Sequence, residues 1–301
     1  MIATGAATFK QTAGTISSSS GANGVQVSGG AGGVVLNSTA GASITGGLNG
    51  LTASATGAGT VTGTLNGDIT GTAAGDGLHV TAATGGVNLT TGGTIKGGAT
   101  GDGIDIQSAG GVKLTANGKV SGDPAIVIVD NSAVGIATDV AGGADALLDA
   151  IKLTENGAGP ITLDIKSAVQ GESDDNGTGN GATILGNTGT ITATITAAGS
   201  IDGTSQNGID ATLVGTTGAG DKIIVVNDGA IGSGGNKVDA SGIFLKITGV
   251  GSAGNINVSG SGTVDAAGVA IFANNDGSGD ININYSGGLS AGLGILAVST
   301  G

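Results

Sequence analysis

The residues of this chain that could do chemistry are carboxylates and a single imidazole. The sequence has 22 Asp and Glu residues, one histidine, His79, and no cysteine. Asp76 and Asp102 hold the same place in two successive copies of a repeat, about 5 Å apart if the copies stack as neighbouring strands. Carboxylate pairs about 5–5.5 Å apart can cleave glycosidic bonds. The alternative is turn chemistry, in which each aspartate of an Asp-Gly pair bonds its own backbone. We adopt this second interpretation and expect no catalysis.

His79 is the other chemically competent side chain. It occupies an outward position in a predicted strand, and Asp105 follows one repeat later, directly beside it. A cross-strand pair of this kind contributes about 0.2–1 kcal/mol. A lone histidine excludes a multi-histidine zinc site and leaves little general-base chemistry. We therefore expect a structural pair.

Two segments rich in oxygen-bearing side chains are candidates for calcium binding, one in an acidic inserted loop and one among glycines near the end of the sequence. Calcium takes six to eight oxygen ligands from carboxylates and carbonyls. The candidate donors are Asp174, Asp175, Asn176, Asn275, Asp276 and Asp280. The alternative is an ordinary Gly/Asn/Asp turn. Calcium is the single candidate ion, and we expect no other cofactor.

Several apolar side chains fall at outward strand positions. Alternation between apolar and polar residues fails at 126–129 and at 223–226, and two phenylalanines occupy outward positions in neighbouring repeats. Contiguous apolar surface often marks an interface, whereas an inserted loop could equally cover these side chains. The candidate interface residues are Val127, Val129, Ile224, Phe244 and Phe272.

The elements that must position these side chains follow from an internal repeat. A small residue followed by an aliphatic one recurs about every 26 residues, as at Gly24-Val25, Gly50-Leu51, Gly77-Leu78 and Gly103-Ile104. Each repeat contains three short segments that alternate with period two and are bounded by glycine, which is typical of strands.

The pattern predicts an all-β fold: a single parallel β-helix solenoid with three short strands per coil of about 26 residues and about ten coils. Residues 1–20 are expected to form a loose N-terminal segment or cap. Residues 21–301 form the β-helix, with inserted loops near 171–180 and 215–239. By analogy with coils of this length, we expect a right-handed coil.

Composition excludes several classes of protein. A net charge of -13 without arginine makes nucleic acid an unsuitable partner. No apolar run approaches the roughly 18 residues of a membrane-spanning helix. Met1–Gly5 shows no signal peptide, so we expect that such a segment was removed or that export is signalled elsewhere.

The units Gly101–Ile106, Gly110–Leu114 and Asn117–Gly122, together with Gly220–Ile231, resemble the coils of bacterial autotransporter passenger domains and large surface adhesins. The resemblance extends over about residues 21–301. It implies a right-handed β-helix that is exported to the bacterial cell surface or the medium.

We therefore expect an extracellular structural protein without catalysis: a stalk, an adhesin, or a self-assembling fibre or layer subunit. Its partners would be further copies of itself, joined through the solenoid ends, or a receptor on a cell surface. Two alternatives stay open. A polysaccharide-binding or polysaccharide-cleaving β-helix protein would need a cleft lined by carboxylates and aromatics. An ice-binding rod would need a flat, regular threonine array.

Overall fold

The computed structural model describes residues 5–171, 179–202, 205–233, 236–249 and 251–300. Regular structure in these residues is entirely β-strand. No helix long and apolar enough to span a membrane is found among them. The chain divides into two compact units, Met1–Ala146 and Leu147–Gly301.

Both units are built from one motif, a coil with three strand positions that we number I, II and III. Within each unit the strands at one position pair in parallel with those of neighbouring coils. The position I strands are β1 (Ala7–Gln11), β4 (Val34–Ser38), β7 (Val61–Leu65), β10 (Val87–Thr91), β13 (Val112–Ala116), β16 (Ile136–Val140), β19 (Ile161–Ile165), β22 (Ile191–Ile195), β25 (Gly220–Asn227), β28 (Gly254–Gly260) and β31 (Ile281–Tyr285).

Position II holds the shortest strands, which follow directly on those of position I. They are β2 (Gly14–Ser20), β5 (Ala42–Gly47), β8 (Asp68–Thr70), β11 (Ile95–Lys96), β14 (Val120–Gly122), β17 (Ala144–Ala146), β20 (Ala168–Gln170), β23 (Ser200–Ile201), β26 (Ala230–Ile231), β29 (Thr263–Asp265) and β32 (Leu289–Ser290).

Position III completes the coil and carries His79, Asp105 and several of the candidate interface residues. Its strands are β3 (Val25–Gly29), β6 (Leu51–Ala55), β9 (Leu78–Ala82), β12 (Ile104–Ser108), β15 (Ile126–Asp130), β18 (Ile151–Glu155), β21 (Ala182–Gly186), β24 (Asn207–Leu213), β27 (Ser241–Ile247), β30 (Val269–Asn275) and β33 (Leu293–Ser299).

The core of each unit is formed by alternate residues of the three strand positions. In β15, Ile126 and Ile128 are fully buried, while Val127 between them points outward and is partly exposed. The parallel register places Ile104 of β12 beside Ile126, so aliphatic side chains stack on aliphatic ones from coil to coil. This removal of apolar surface from water is the main stabilising contribution.

Close packing favours a small residue before the position III strand: glycine at most corners, and alanine at Ala125 and Ala150. A Cβ atom added to Gly77 would lie 2.7 Å from the carbonyl oxygen of Gly103 and 2.8 Å from Ile95 Cγ2. Both distances are shorter than ordinary van der Waals contact. The recurrent small residue in the repeat therefore marks a corner at which the chain passes close to its neighbouring coil.

The predicted fold class is confirmed: the protein is a parallel β-solenoid with three strands and about 26 residues per coil. Eleven coils are described rather than about ten, because residues 7–20, expected as a loose segment or cap, form β1 and β2. Both strands pair with the next coil. The hand of the coil stays a prediction.

Of the two predicted loops, the structure describes most of the second but little of the first. Residues 172–178, most of the loop near 171–180, lie outside the described residues. The segment 215–239 contains the strands β25 and β26, and its additional residues lie in the connections that flank these two strands.

Candidate functional site

Asp76 and Asp102 lie at the corner that precedes the position III strands, and they form part of a ladder between coils. The Asp76 backbone N–H donates to Asn49 Oδ1 at 2.8 Å, and the Asp102 N–H donates to Asp76 Oδ1 at 3.0 Å. The expectation that each aspartate bonds its own backbone is therefore wrong for Asp76. Its carboxylate accepts from the next coil, because stacking at about 4.8 Å brings that N–H within reach.

The second unit repeats this ladder with different residues. The N–H groups of Asn180, Asn207 and Ser241 donate to the side-chain oxygens of Asp149, Asn180 and Asn207 at 2.8, 2.9 and 3.0 Å. Asn and Asp are interchangeable in this role because each offers a carbonyl-type oxygen on a short side chain. The ladder is thus a general feature of the corner.

The first unit departs from this general feature at His79, which lies in β9 three residues after Asp76. Its register partner in β12 is Asp105, as predicted. The imidazole Nδ1 lies 3.1 Å from Asp76 Oδ2 and 2.9 Å from Asp105 Oδ2. Gln107 Nε2 donates to the same Asp105 oxygen at 3.3 Å. Asp105 is only 8 % exposed, so its carboxylate is held against the imidazole rather than in water.

These contacts set the protonation of the cluster. The hydrogen bond with Asp105, followed by that with Asp76, raises the pKa of His79 from 6.5 to about 10, although burial opposes the shift. Burial raises the pKa of Asp102 from 3.8 to about 7, and repulsion from Asp76, Asp105 and Asp123 adds to the effect. At neutral pH the imidazole is therefore a cation surrounded by carboxylates.

The arrangement is suited to holding a positive charge. Asp76, His79 and Asp105 each offer one atom that could bind a metal ion, and these three atoms all lie within 4.8 Å of one another. Among the described residues, this is the one such cluster of His, Cys, Asp or Glu side chains. From the sequence we expected two separate pairs, one at the corner and one across the strands. The structure joins them, and the sequence signal for this was the three-residue spacing between Asp76 and His79.

The predicted calcium donors do not gather at one described place. Asp174, Asp175 and Asn176 lie outside the described residues. Asn275 is fully buried, and its Nδ2 donates to the carbonyls of Gly254 and Gly279 at 3.0 and 2.9 Å.

The remaining contacts of this segment are those of a turn. Asn275 Oδ1 accepts from the Gly277 N–H at 3.1 Å, and Asp276 Oδ1 accepts from Asn274 Nδ2 at 2.9 Å. The Asp280 N–H donates to an asparagine of the preceding coil at 2.9 Å. Asn275 thus stabilises a turn through hydrogen bonds to the backbone. Calcium binding stays a prediction.

The candidate interface residues lie at outward strand positions, where each is partly exposed: Val127, Val129, Ile224, Phe244 and Phe272. Phe244 and Phe272 are register partners, and their rings stack with centroids 4.8 Å apart and an interplanar angle of 7°. Leu296 of β33 continues this column. The two rings therefore stack on each other from one coil to the next.

No family model, curated protein or solved structure matches the chain.

Proposed function

We propose that this protein is a structural component of the bacterial cell exterior: an exported stalk, adhesin, or self-assembling fibre or layer subunit. The support is that the same coil motif is repeated throughout each unit. Parallel pairing continues from coil to coil within each unit, with register shifts in the β2–β5 and β25–β28 pairs. Such pairing resists extension along its axis through many backbone hydrogen bonds.

The observation that carries the proposal is the outer edge of the last coil that the structure describes. Its strands β31, β32 and β33 pair on one side with β28, β29 and β30. Within the described residues they have no partner on the other side. Leu293 and Ile295, at the end of the apolar core, are 47 % and 44 % exposed, while Ile271 in the coil before is fully buried.

The first and last described coils also carry few of the charges that normally prevent edge pairing. Residues 281–300 contain no charged side chain, and residues 5–30 contain one, Lys10. Charged side chains on edge strands are a common defence against association. We therefore propose that the last coil of one copy pairs with the first coil of a second copy, burying Leu293 and Ile295 against its core.

Electron microscopy and sedimentation of purified protein test this proposal. Wild-type protein should form filaments or end-to-end chains whose length rises with concentration. Ile295→Lys places a charge in the open core edge and should leave single short particles. Leu296→Lys is the matched control, because Leu296 is the next residue along β33 and points outward; this variant should still assemble.

Two results would contradict end pairing. One is a wild-type protein that stays monomeric up to about millimolar concentration, the range in which weak association becomes populated. The other is assembly that survives Ile295→Lys but disappears in Phe244→Ser, which would place the interface on the outward apolar column.

A further inference from the structure

The imidazole of His79 faces more acceptors than it can satisfy. A ring nitrogen carries at most one proton, yet Nδ1 lies within 3.1 Å of one carboxylate oxygen and within 2.9 Å of another. One proton cannot form two linear hydrogen bonds. Two anionic oxygens therefore converge on one nitrogen with a single hydrogen between them.

These distances are slightly shorter than those between neighbouring ligands of a small metal ion. Bonds of about 2.1 Å to zinc in tetrahedral geometry place the ligand atoms about 3.4 Å apart. The observed nitrogen–oxygen distances are 3.1 and 2.9 Å, and all three candidate ligand atoms lie within 4.8 Å of one another. To admit an ion, the two nitrogen–oxygen distances would lengthen by about 0.3–0.5 Å.

The burial of the cluster and its negative charge both favour a bound cation. The Asp105 side chain is largely buried, with 11 % of its surface exposed, and a buried carboxylate needs a compensating positive charge. Asp102 and Asp123 add two further carboxylates beside the same cluster, against the one imidazole. A divalent cation that displaces the Nδ1 proton to solvent would bring two positive charges to the cluster, where the protonated imidazole brings one.

We propose that Asp76, His79 and Asp105 form a binding site for a divalent first-row transition-metal ion. Imidazole nitrogen with carboxylate oxygen suits zinc and its neighbours, whereas calcium takes oxygen ligands. Asp76 and His79 belong to one coil and Asp105 to the next, so the ion would fasten β9 to β12. The proposal is independent of the proposed structural function, because it concerns the first unit alone.

The single histidine makes the test direct. Protein labelled with ¹⁵N-histidine, with any affinity tag removed, gives the imidazole signals of His79 and no others, because the chain has one histidine. Addition of zinc sulfate at pH 8 should shift the Nδ1 resonance and saturate at one equivalent. Calcium chloride at the same concentration should leave the resonance in place.

Matched variants separate this site from general binding to an acidic surface. Asp105→Asn and Asp76→Asn each remove one carboxylate ligand and should weaken zinc binding at least tenfold. Asp210→Asn is the control, because Asp210 is an outward, half-buried aspartate of β24; it should bind zinc as the wild type does. Circular dichroism confirms that each variant is folded.

Two outcomes would overturn the site. One is a His79 imidazole signal that does not respond to ten equivalents of zinc. The other is a zinc response of equal strength in the wild type, Asp76→Asn and Asp105→Asn. Neither outcome bears on end-to-end assembly, which is measured separately by microscopy with Ile295→Lys.

Discussion

Raising the pH through the titration of His79 should destabilise the metal-free protein, and His79→Gln should remove this effect. The folded-state pKa of His79 is raised from 6.5 to about 10 by its hydrogen bonds with Asp105 and Asp76. A group whose pKa is higher in the folded state stabilises the fold while it is protonated. The stabilisation is therefore complete below about pH 6.5 and is lost as the pH rises through about 10.

The expected size of this stabilisation follows from the same shift in the pKa of His79. A rise from 6.5 to about 10, at about 1.36 kcal/mol per pKa unit, sets an upper bound of about 5 kcal/mol. The His79 side chain is 26 % exposed, so water and salt screen the interaction. We expect about 2–3 kcal/mol of pH-dependent stability from this residue.

Urea unfolding followed by circular dichroism, with chelator present, measures the effect at pH 6 and pH 10.5. Other groups titrate over the same range, so the informative quantity is the wild-type free energy of unfolding minus that of His79→Gln. This difference should be about 2–3 kcal/mol larger at pH 6 than at pH 10.5. A ¹⁵N titration of the single imidazole gives the folded-state pKa directly. The reasoning is refuted if that pKa lies within about one unit of 6.5, or if the stability difference stays constant with pH.

Three further predictions concern the corners of the coil. Asp102→Asn should stabilise the protein by about 1 kcal/mol at pH 8 and have no effect below pH 4. Burial and nearby carboxylates raise the pKa of Asp102 to about 7, so its charge opposes folding above that pH. Urea unfolding at both pH values checks this. Gly242→Ala should cost about 1–3 kcal/mol, because the added methyl overlaps Val264 Cγ1. In the double variant with Val264→Ala the combined cost should fall below the sum of the single costs, and additive costs would contradict the overlap. Asn275→Ala should cost about 2–4 kcal/mol in thermal or urea unfolding, because a buried amide with three backbone partners is lost; Asn274→Ala, at the outward neighbouring position, should cost less than about 1 kcal/mol.

Much of the fold could be predicted because strand alternation records which side chains face the core. In β9, Leu78 and Val80 are buried and His79 between them points outward, as the sequence pattern indicates. The spacing of about one coil also predicts register, and His79 does lie opposite Asp105. Local patterns of this kind are sufficient where a segment is short and regular.

The first coil was harder to predict because its strands contain few aliphatic residues. Most of β2 is serine, which carries no apolar alternation, yet β2 pairs in parallel with β5, with a register shift between Ser17 and Ser20. Backbone hydrogen bonds to the neighbouring coil do not depend on side-chain type. A rule based on side-chain pattern therefore misses a strand that is defined by its partner.

The sequence by itself determined the period, the strand content, the parallel coil and the outward position of His79, because each depends on residue type at regular spacing. Tertiary structure alone decided that Asp76 turns from the corner toward His79, and that Asn275 closes a turn with three backbone hydrogen bonds. Both depend on the direction of a side chain at a bend, and that direction is set by the path of the backbone in adjacent coils. The candidate metal site exists because two neighbouring coils bring three side chains to one point.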